Sequence, residues 1–204
     1  MERNNTRGLI AFLSGIPISF LGGLIGLGGA EFRLPILGGV FNIPLKEAIP
    51  INLLVSLFTL AAAVMIRLIK KSPFPSPAQT PVIIGLILGA VISAFWGPKL
   101  LQRMSAMKLR QGVLVLLVSV GILMLAHGFL NEPETGLFGA EGISLFMLAL
   151  PFGLFIGLFS SLLGVAGGEL LIPTLVFIFG LPIKIAGSGT ILVSIPTVVV
   201  GLLR

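Results

Sequence analysis

The chain contains no cysteine and a single histidine among 204 residues, and only 10% of its residues are charged. Without cysteine it can form no disulfide framework, no thiolate nucleophile and no cysteine-ligated metal site. His127 has no second histidine or acidic residue in its apolar segment, which leaves too little for a metal site or a catalytic triad. We therefore expect no enzyme activity, no bound metal and no cofactor.

Hydrophobic residues make up 56% of the chain and the mean hydropathy is +1.15, well outside the range of soluble domains. Several uncharged runs reach the roughly 20 residues that a helix needs to cross a bilayer, and alternating strand patterns are absent. The sequence predicts an all-α, polytopic helical protein of the plasma or inner membrane. The predicted spans are 9–27, 48–66, 82–98, 111–130, 143–166 and 185–203.

One stretch of the sequence occurs twice without a gap. Gly-Leu-Gly-Gly-Ala-Glu-Phe-Arg-Leu-Pro, which starts at Gly26, returns 138 residues later as Gly-Val-Ala-Gly-Gly-Glu-Leu-Leu-Ile-Pro, which starts at Gly164. Paired breaks of this kind in apolar sequence point to the substrate site of a secondary transporter. We assign a first repeat half to residues 1–138 and a second half to 139–204. Because the second half is much shorter, we expect a truncated or partial protein.

Two segments beside the repeated motif, 32–43 and 170–183, are too short to span about 30 Å of hydrocarbon at about 1.5 Å per residue. They predict discontinuous helices, either broken or re-entrant. If these segments do not cross the membrane, the basic residues show no preference for one side. If they do cross, Arg67 and Lys184 share the side opposite a cytoplasmic N-terminus, and the two halves form inverted repeats. We favour the crossing arrangement.

Glycines at the two motifs weaken the helix where they occur, at Gly28 and Gly29 and again at Gly167 and Gly168. An unwound backbone in lipid must face a protein-enclosed cavity, and the amides at the start of the following half-helix favour an anionic ligand. A second interpretation is that these glycines only permit close helix packing. The two interpretations are compatible.

Glu31 and Glu169 occupy equivalent positions beside apolar runs, where a charge is costly. Each is either a protonatable site that couples protons to anion transport or a structural carboxylate that caps a half-helix or pairs with a cation. We give these interpretations equal weight. Arg33 is matched by Leu171 and so has no repeat partner. It either contacts substrate or neutralises Glu31, and we favour the salt bridge.

The sequence Gly-Ser-Gly-Thr from Gly187 opens the sixth predicted span and aligns Thr190 with Asn52. Its hydroxyls and amides could hold an oxyanion, or Ser188 could be part of an ordinary helix N-cap. Beside the second glycine-glutamate element we favour binding. The predicted substrate-binding residues are Gly28, Gly29, Glu31, Arg33, Asn52, Gly167, Gly168, Glu169, Ser188 and Thr190.

The two motifs and the segment Ala-Gly-Ser-Gly-Thr from Ala186 resemble the TauE/SafE family of membrane transporters, also described as sulfite exporters and anion permeases. The resemblance covers nearly the whole chain and implies a carrier of sulfite or a related organosulfur anion. Members of this family usually have seven or eight spans, so the resemblance also implies spans beyond Leu203.

The sequence thus favours a secondary transporter for a small oxyanion such as sulfite or an organosulfonate, with alternating access between the repeat halves. The alternatives are a non-transporting membrane scaffold or assembly partner, or an inactive fragment. The expected partners are a small anionic substrate, the lipid bilayer and protons as coupling ion, and a homo-oligomer is compatible with the sequence. The net charge of +6 sits in short loops, where it indicates topology and not nucleic acid binding.

Overall fold

The structure is a computed structural model that describes residues 15–18, 29–103 and 142–203, with isolated positions from 105 to 125. The regular elements it describes are all helical, which confirms the all-α class. The first and fourth predicted spans fall largely outside the described residues. The helices are α1 (Ala30–Gly39), α2 (Leu45–Ile69), α3 (Thr80–Ala94), α4 (Gly97–Arg103), α5 (Ile143–Leu163), α6 (Gly168–Pro173, continued by the π-helical turn Thr174–Ile178) and α7 (Ile183–Leu202).

Three described helices are long and apolar enough to cross a membrane: α2, α5 and α7. They correspond to the second, fifth and sixth predicted spans. The prediction for the third span was wrong at its end, because α3 stops at Ala94 after 15 residues. The chain turns at Phe95 and Trp96 before α4 begins. Pro98 explains the limit, since proline has no N–H for an intrahelical bond and obstructs a preceding helix.

Helices α3 and α5 are parallel and very close. A Cβ on Gly85 would lie 2.7 Å from the carbonyl oxygen of Phe146, near the start of both helices. Farther along, Gly157 lies against the backbone of Ala90. Small residues about one turn apart allow this approach of backbones, as at many membrane helix contacts. The pair is therefore a closely packed unit within the bundle.

Helices α2 and α7, which occupy equivalent places in the two sequence repeats, run antiparallel. Arg67, near the end of α2, donates from Nη1 to the Ser188 hydroxyl at 2.8 Å and to the Lys184 carbonyl at 3.4 Å, near the start of α7. At the opposite end, Leu53 Cδ1 lies 3.6 Å from the Cβ position of Gly201. Arg67 and Lys184 thus lie at the same end of the bundle, as the crossing arrangement predicts.

Helices α5 and α7 follow each other along the chain as long apolar helices, yet they run parallel. The end of α7 lies beside the end of α5, with the Cβ position of Gly201 3.5 Å from Ser161 Cβ. The start of α7 lies beside the start of α3, where a Cβ on Gly189 would lie 2.8 Å from Ile83 Cδ1. Since α3 and α5 begin at the same end, residues 164–182 return the chain from one end of the bundle to the other. The short element α6 is part of this return.

Helix α7 is the central element of the described bundle. In its most apolar window 61% of residues are buried, against 28% for α2 and for α5. It contributes to both apolar cores: Ile191 and Val198 pack with α1 and α2, and Ala186 and Val193 pack with α3, α5 and α6. The outer side of α2, including Phe58 and Met65, is exposed and apolar. That surface suits contact with lipid.

Candidate substrate site

The first break precedes α1. Gly29 stands at its N-cap in the left-handed region, with φ 73°. A Cβ at this position would lie 3.0 Å from the carbonyl oxygen of Ile18, so both the backbone conformation and the close approach favour glycine. Among the described side chains, none makes a cap hydrogen bond to this helix. Its first amides therefore keep the partial positive charge of a helix N-terminus. Gly28 lies outside the described residues.

The second break separates α5 from α6. Gly164 ends α5 with φ 70° and Gly167 precedes α6 with φ 78°, so two left-handed glycines enclose a short non-helical segment. That segment is buried, and the hydroxyl of Ser160 donates a hydrogen bond to the carbonyl of Val165. An open backbone at membrane depth needs such partners from the protein. Gly167 and Gly168 therefore lie at a helix break, as predicted, and Gly168 is the first residue of α6.

Asn52 joins the two breaks. It lies on α2 and is fully buried. Its amide nitrogen donates to the carbonyl of Ala30 at 2.9 Å, at the start of α1, and to the carbonyl of Gly164 at 2.8 Å, at the end of α5. A side-chain amide has two N–H groups, so both are used. The predicted site residue Asn52 thus brings together backbone segments that are far apart in sequence.

Arg33 completes a polar network around the first break. Its Nε donates to Asn52 Oδ1 at 2.9 Å and its Nη2 donates to Ser56 Oγ at 2.7 Å. The Ser56 hydroxyl in turn donates to the Asn52 carbonyl at 2.8 Å. These bonds fix the plane of a partly buried guanidinium. The side chain of Glu31 lies outside the described residues, so its salt bridge with Arg33 and its protonation both stay predictions.

The equivalent positions of the second copy make no such network. Leu171 replaces Arg33, Thr190 replaces Asn52, and Ser194 matches Ser56. Within the described part of the chain, the hydroxyls of Thr190 and Ser194 and both carboxylate oxygens of Glu169 have no hydrogen-bond partner. Their residues are only 3%, 0% and 1% exposed. Buried polar atoms are nearly always paired, so an unpaired set requires an explanation.

Other hydroxyls in these helices show the usual arrangement. Thr197, one turn after the unpaired residues, donates to the carbonyl of Val193 at 2.7 Å, and Thr59 donates to Val55 in the same way. Backbone carbonyls four residues earlier normally satisfy serine and threonine in helices. The capping interpretation of Glu169 was also wrong in this structure, because its carboxylate bonds to no amide of α6.

Ser188 has a different environment from the one predicted. The N-cap interpretation was wrong, since α7 begins at Ile183 directly after Pro182 and Ser188 lies inside the helix. Its hydroxyl donates to the Pro73 carbonyl at 2.6 Å and accepts from Arg67 at 2.8 Å. A Cβ on Gly187 would lie 2.8 Å from Arg67 Nη2, so this glycine makes room for the guanidinium. The hydroxyl of Ser188 is therefore engaged in linking α7 to α2 and to the proline-rich loop.

Three residues of these networks were absent from the predicted site. Ser56 and Ser194 carried a usable signal, because each follows its predicted partner by four residues and so lies on the same helix face. Arg67 was interpreted only as a topology signal. Its contact with Ser188 joins positions 121 residues apart and has no local sequence pattern.

An open cavity of about 410 Å³ lies elsewhere, at α4 and α5. Tryptophan and basic side chains with apolar neighbours are typical of a membrane–water interface. This cavity shares no lining residue with the breaks and is not part of the candidate site. It is lined by Trp96, Lys99, Leu100, Arg103 and Leu158.

The helical bundle, its apolar spans and the two glycine breaks that meet at Asn52 define a membrane protein with discontinuous helices, the architecture of many secondary transporters. Comparison with known proteins agrees. The family model described as "Sulfite exporter TauE/SafE" matches residues 11–204, and the chain belongs to this family. It is 28% identical over 195 residues to "Probable membrane transporter protein YdhB" of Bacillus subtilis (strain 168), a match that covers 95% of this chain and 75% of the relative. No solved structure matches the chain significantly.

The family is one of membrane transporters and not of enzymes. The protein is therefore a multi-pass protein of the cell membrane with a role in membrane transport, which implies a small-molecule substrate and a lipid environment.

Proposed function

We propose that the protein is a secondary transporter for a small oxyanion, such as sulfite or an organosulfonate. The observation that carries the proposal is the guanidinium of Arg33, fixed by Asn52 and Ser56 at the point where two helix breaks meet. The description of the matching family names sulfite and supports this class of substrate.

The charges around the first break favour an anion. A guanidinium presents several N–H donors in one plane and suits the oxygens of carboxylates, phosphates and similar oxyanions. The uncapped N-terminus of α1 adds a partial positive charge beside it. Bonds to Asn52 and Ser56 hold the guanidinium in place before substrate arrives, which lowers the entropic cost of binding. We place the anion between Arg33 and the amides that follow Gly28 and Gly29, with Asn52 holding the guanidinium in position, since both of its N–H groups already bond to carbonyls.

The second break contributes to the same transport cycle in this proposal. Gly167 and Gly168 form the helix break itself, while Glu169 and Thr190 supply buried oxygens beside it. Glu31 and Glu169 remain the proposed proton-binding groups. Ser188 is left out of the substrate contacts, because its hydroxyl already bonds to Pro73 and Arg67.

Alternating access follows if the repeat halves are inverted. The antiparallel direction of α2 and α7, which are equivalent in sequence, supports that arrangement. The close seam between α3 and α5 joins the two halves, so in this proposal the halves pivot about that seam while the contact between α2 and α7 opens. One side of the site would then be exposed at a time.

A flux experiment with Arg33 variants tests the substrate class. The full chain is reconstituted in proteoliposomes and uptake of radiolabelled sulfite is measured for wild type, Arg33→Gln and Arg33→Lys. We expect flux to fall by about 10- to 100-fold in Arg33→Gln, because a hydrogen bond to a charged group contributes about 1.5 to 3 kcal/mol. Arg33→Lys keeps the charge but loses the planar fork, so it should restore only part of the flux.

Arg103→Gln is the matched control, since it removes an exposed guanidinium at α4 that takes no part in the hydrogen bonds described at the breaks. Its flux should equal that of wild type. Wild-type sulfite flux in a folded Arg33→Gln protein would contradict the proposed role of this site.

A further inference from the structure

The two copies of the break differ by one cation. In the first copy, the guanidinium of Arg33 bonds to the side chains at positions 52 and 56. In the second copy, the equivalent position is Leu171, and the side chains at the equivalent positions 190 and 194 have no hydrogen-bond partner within the described residues. Side-chain oxygens stand at these positions in both copies, and in the second copy no described cationic side chain bonds to them.

We infer that the second break binds the coupling cation of the transporter, a small monovalent ion held by the oxygens of Glu169, Thr190 and Ser194. The bound ion would take the role that the tethered guanidinium of Arg33 has in the first copy. This inference rests on the proposed function and adds to it the site of the ion whose gradient drives transport.

The positions of the three side chains fit a common site. Thr190 and Ser194 are one helical turn apart, so both lie on one face of α7. Glu169 is in the first turn of α6, which packs against α7. In the first copy the carbonyl of Ala30 contacts Asn52. The repeat alignment matches Ala30 with Gly168 and Asn52 with Thr190, so we infer that Glu169, next to Gly168, lies near Thr190.

The surroundings leave the carboxylate uncompensated. Helices α3, α5 and α7 share an apolar core with α6, and Lys184 is their one titratable side chain within the described residues. Lys184 is exposed at the start of α7. Arg67, on α2, bonds to Ser188, and Arg33, on α1, bonds to Asn52 and Ser56. An isolated buried carboxylate is costly, and a bound cation or proton removes that cost.

The ligand atoms define the class of ion. Carboxylate and hydroxyl oxygens suit hard cations such as Na⁺, while the same carboxylate can take up a proton. Both ions neutralise Glu169 and leave the hydroxyls to complete the shell. The experiment therefore has to distinguish binding of Na⁺ from binding of a proton.

Thermal unfolding of the purified full chain in detergent provides the test, with no anion substrate present. The midpoint is measured in NaCl and in choline chloride at equal ionic strength, over a series of pH values. If Na⁺ is the ligand, the midpoint should rise by about 3 to 6 °C for each tenfold increase in Na⁺ above the dissociation constant. If the proton is the ligand, the midpoint should rise as pH falls, with no dependence on Na⁺.

Variants assign the effect to this site. Glu169→Gln should abolish the dependence on either ion, and Thr190→Val with Ser194→Ala should abolish or strongly weaken the dependence on Na⁺. Thr197→Val is the matched control, because its hydroxyl is buried on the same helix but bonded to Val193. It should keep the wild-type response. A wild-type midpoint that depends on neither ion, or an unchanged response in Glu169→Gln, overturns the inference.

Leu171→Arg provides a second, independent readout by copying the first break into the second. We expect the new guanidinium to replace the ion, so that a folded Leu171→Arg protein loses the ion-dependent shift. If the buried arginine prevents folding, the Glu169 and Thr190/Ser194 variants still decide the question. Failure of sulfite flux with a retained ion response would refute the proposed substrate and leave the ion site standing. Normal sulfite flux without an ion-dependent midpoint would refute the ion site and leave the proposed substrate standing.

Discussion

The two breaks share a backbone design and differ in how their polar groups are satisfied. At the first break, Arg33, Asn52 and Ser56 bond to each other and to backbone carbonyls. At the second break, Glu169, Thr190 and Ser194 are almost fully buried, and their side-chain oxygens have no hydrogen-bond partner in the described part of the chain. The comparison teaches that two similar backbone breaks can differ chemically through changes at two aligned positions, Arg33 against Leu171 and Asn52 against Thr190.

Removing the amide that joins the breaks should have the largest effect. Asn52→Leu leaves the carbonyls of Ala30 and Gly164 and the Nε of Arg33 without their present partner. Each buried unsatisfied group costs about 1 to 3 kcal/mol, so we expect a loss of at least roughly 3 kcal/mol of stability or failure to fold. Thermal unfolding in detergent measures the loss.

The control for this prediction is Thr59→Val. It removes a hydroxyl from the same helix, and that hydroxyl donates a hydrogen bond to the carbonyl of Val55. Its midpoint should stay close to that of wild type. An Asn52→Leu protein that unfolds at the wild-type temperature would show that the two breaks do not depend on this connection.

Alanine substitutions at the second break should have an intermediate effect and differ from each other. Gly164→Ala and Gly167→Ala both place a side chain in the left-handed region, at a cost of roughly 1 to 2 kcal/mol. At Gly164 the new Cβ would also lie 2.8 Å from Ile49 Cγ2 and 3.0 Å from its backbone, whereas at Gly167 the nearest atoms are 3.4 Å away. We expect Gly164→Ala to be the more destabilising by about 1 kcal/mol or more in chemical denaturation. Equal losses would mean that the contact with Ile49 adjusts without cost.

The smallest expected effect is a difference in stability between Ser56→Ala and Ser194→Ala, which change equivalent positions of the two copies. Ser56→Ala removes an acceptor from Arg33 and a donor to the Asn52 carbonyl, and should cost about 1 to 2 kcal/mol. Ser194→Ala removes an unpaired buried hydroxyl, so in choline chloride at alkaline pH it should be neutral or slightly stabilising. The comparison of the two midpoints is the measurement. A clear loss for Ser194→Ala under these conditions would mean that its hydroxyl has a partner within the protein itself.

The sequence was sufficient to predict the breaks and most of the long helices. Glycine and proline in apolar sequence disfavour regular helix locally, and their repetition marked the same places in both copies. The end of α3 was predicted too late, at residue 98 instead of Ala94. The uncharged run suggested one continuous helix, whereas Pro98 favours a turn before it. The start of α7 was misplaced because the charge on Lys184 was taken as the boundary, although Pro182 starts the helix two residues earlier.

The connections between the copies could not be predicted in the same way. Asn52 meets Gly164 across 112 residues and Arg67 meets Ser188 across 121. Such contacts depend on helix direction and register, which no local pattern in a single sequence specifies. The repeat alignment did match Asn52 with Thr190 and Arg33 with Leu171. It could not reveal that one set of side chains is satisfied and the other is not.

The two hydrogen bonds that Asn52 donates to the carbonyls of Ala30 and Gly164 also limit how far the two breaks can move apart. Displacing the start of α1 from the end of α5 by more than about 1 Å takes one of these contacts beyond hydrogen-bond range. A larger displacement in the proposed transport cycle must therefore break one of these two hydrogen bonds. Asn52 would then stay bonded to one of the two breaks and not to both.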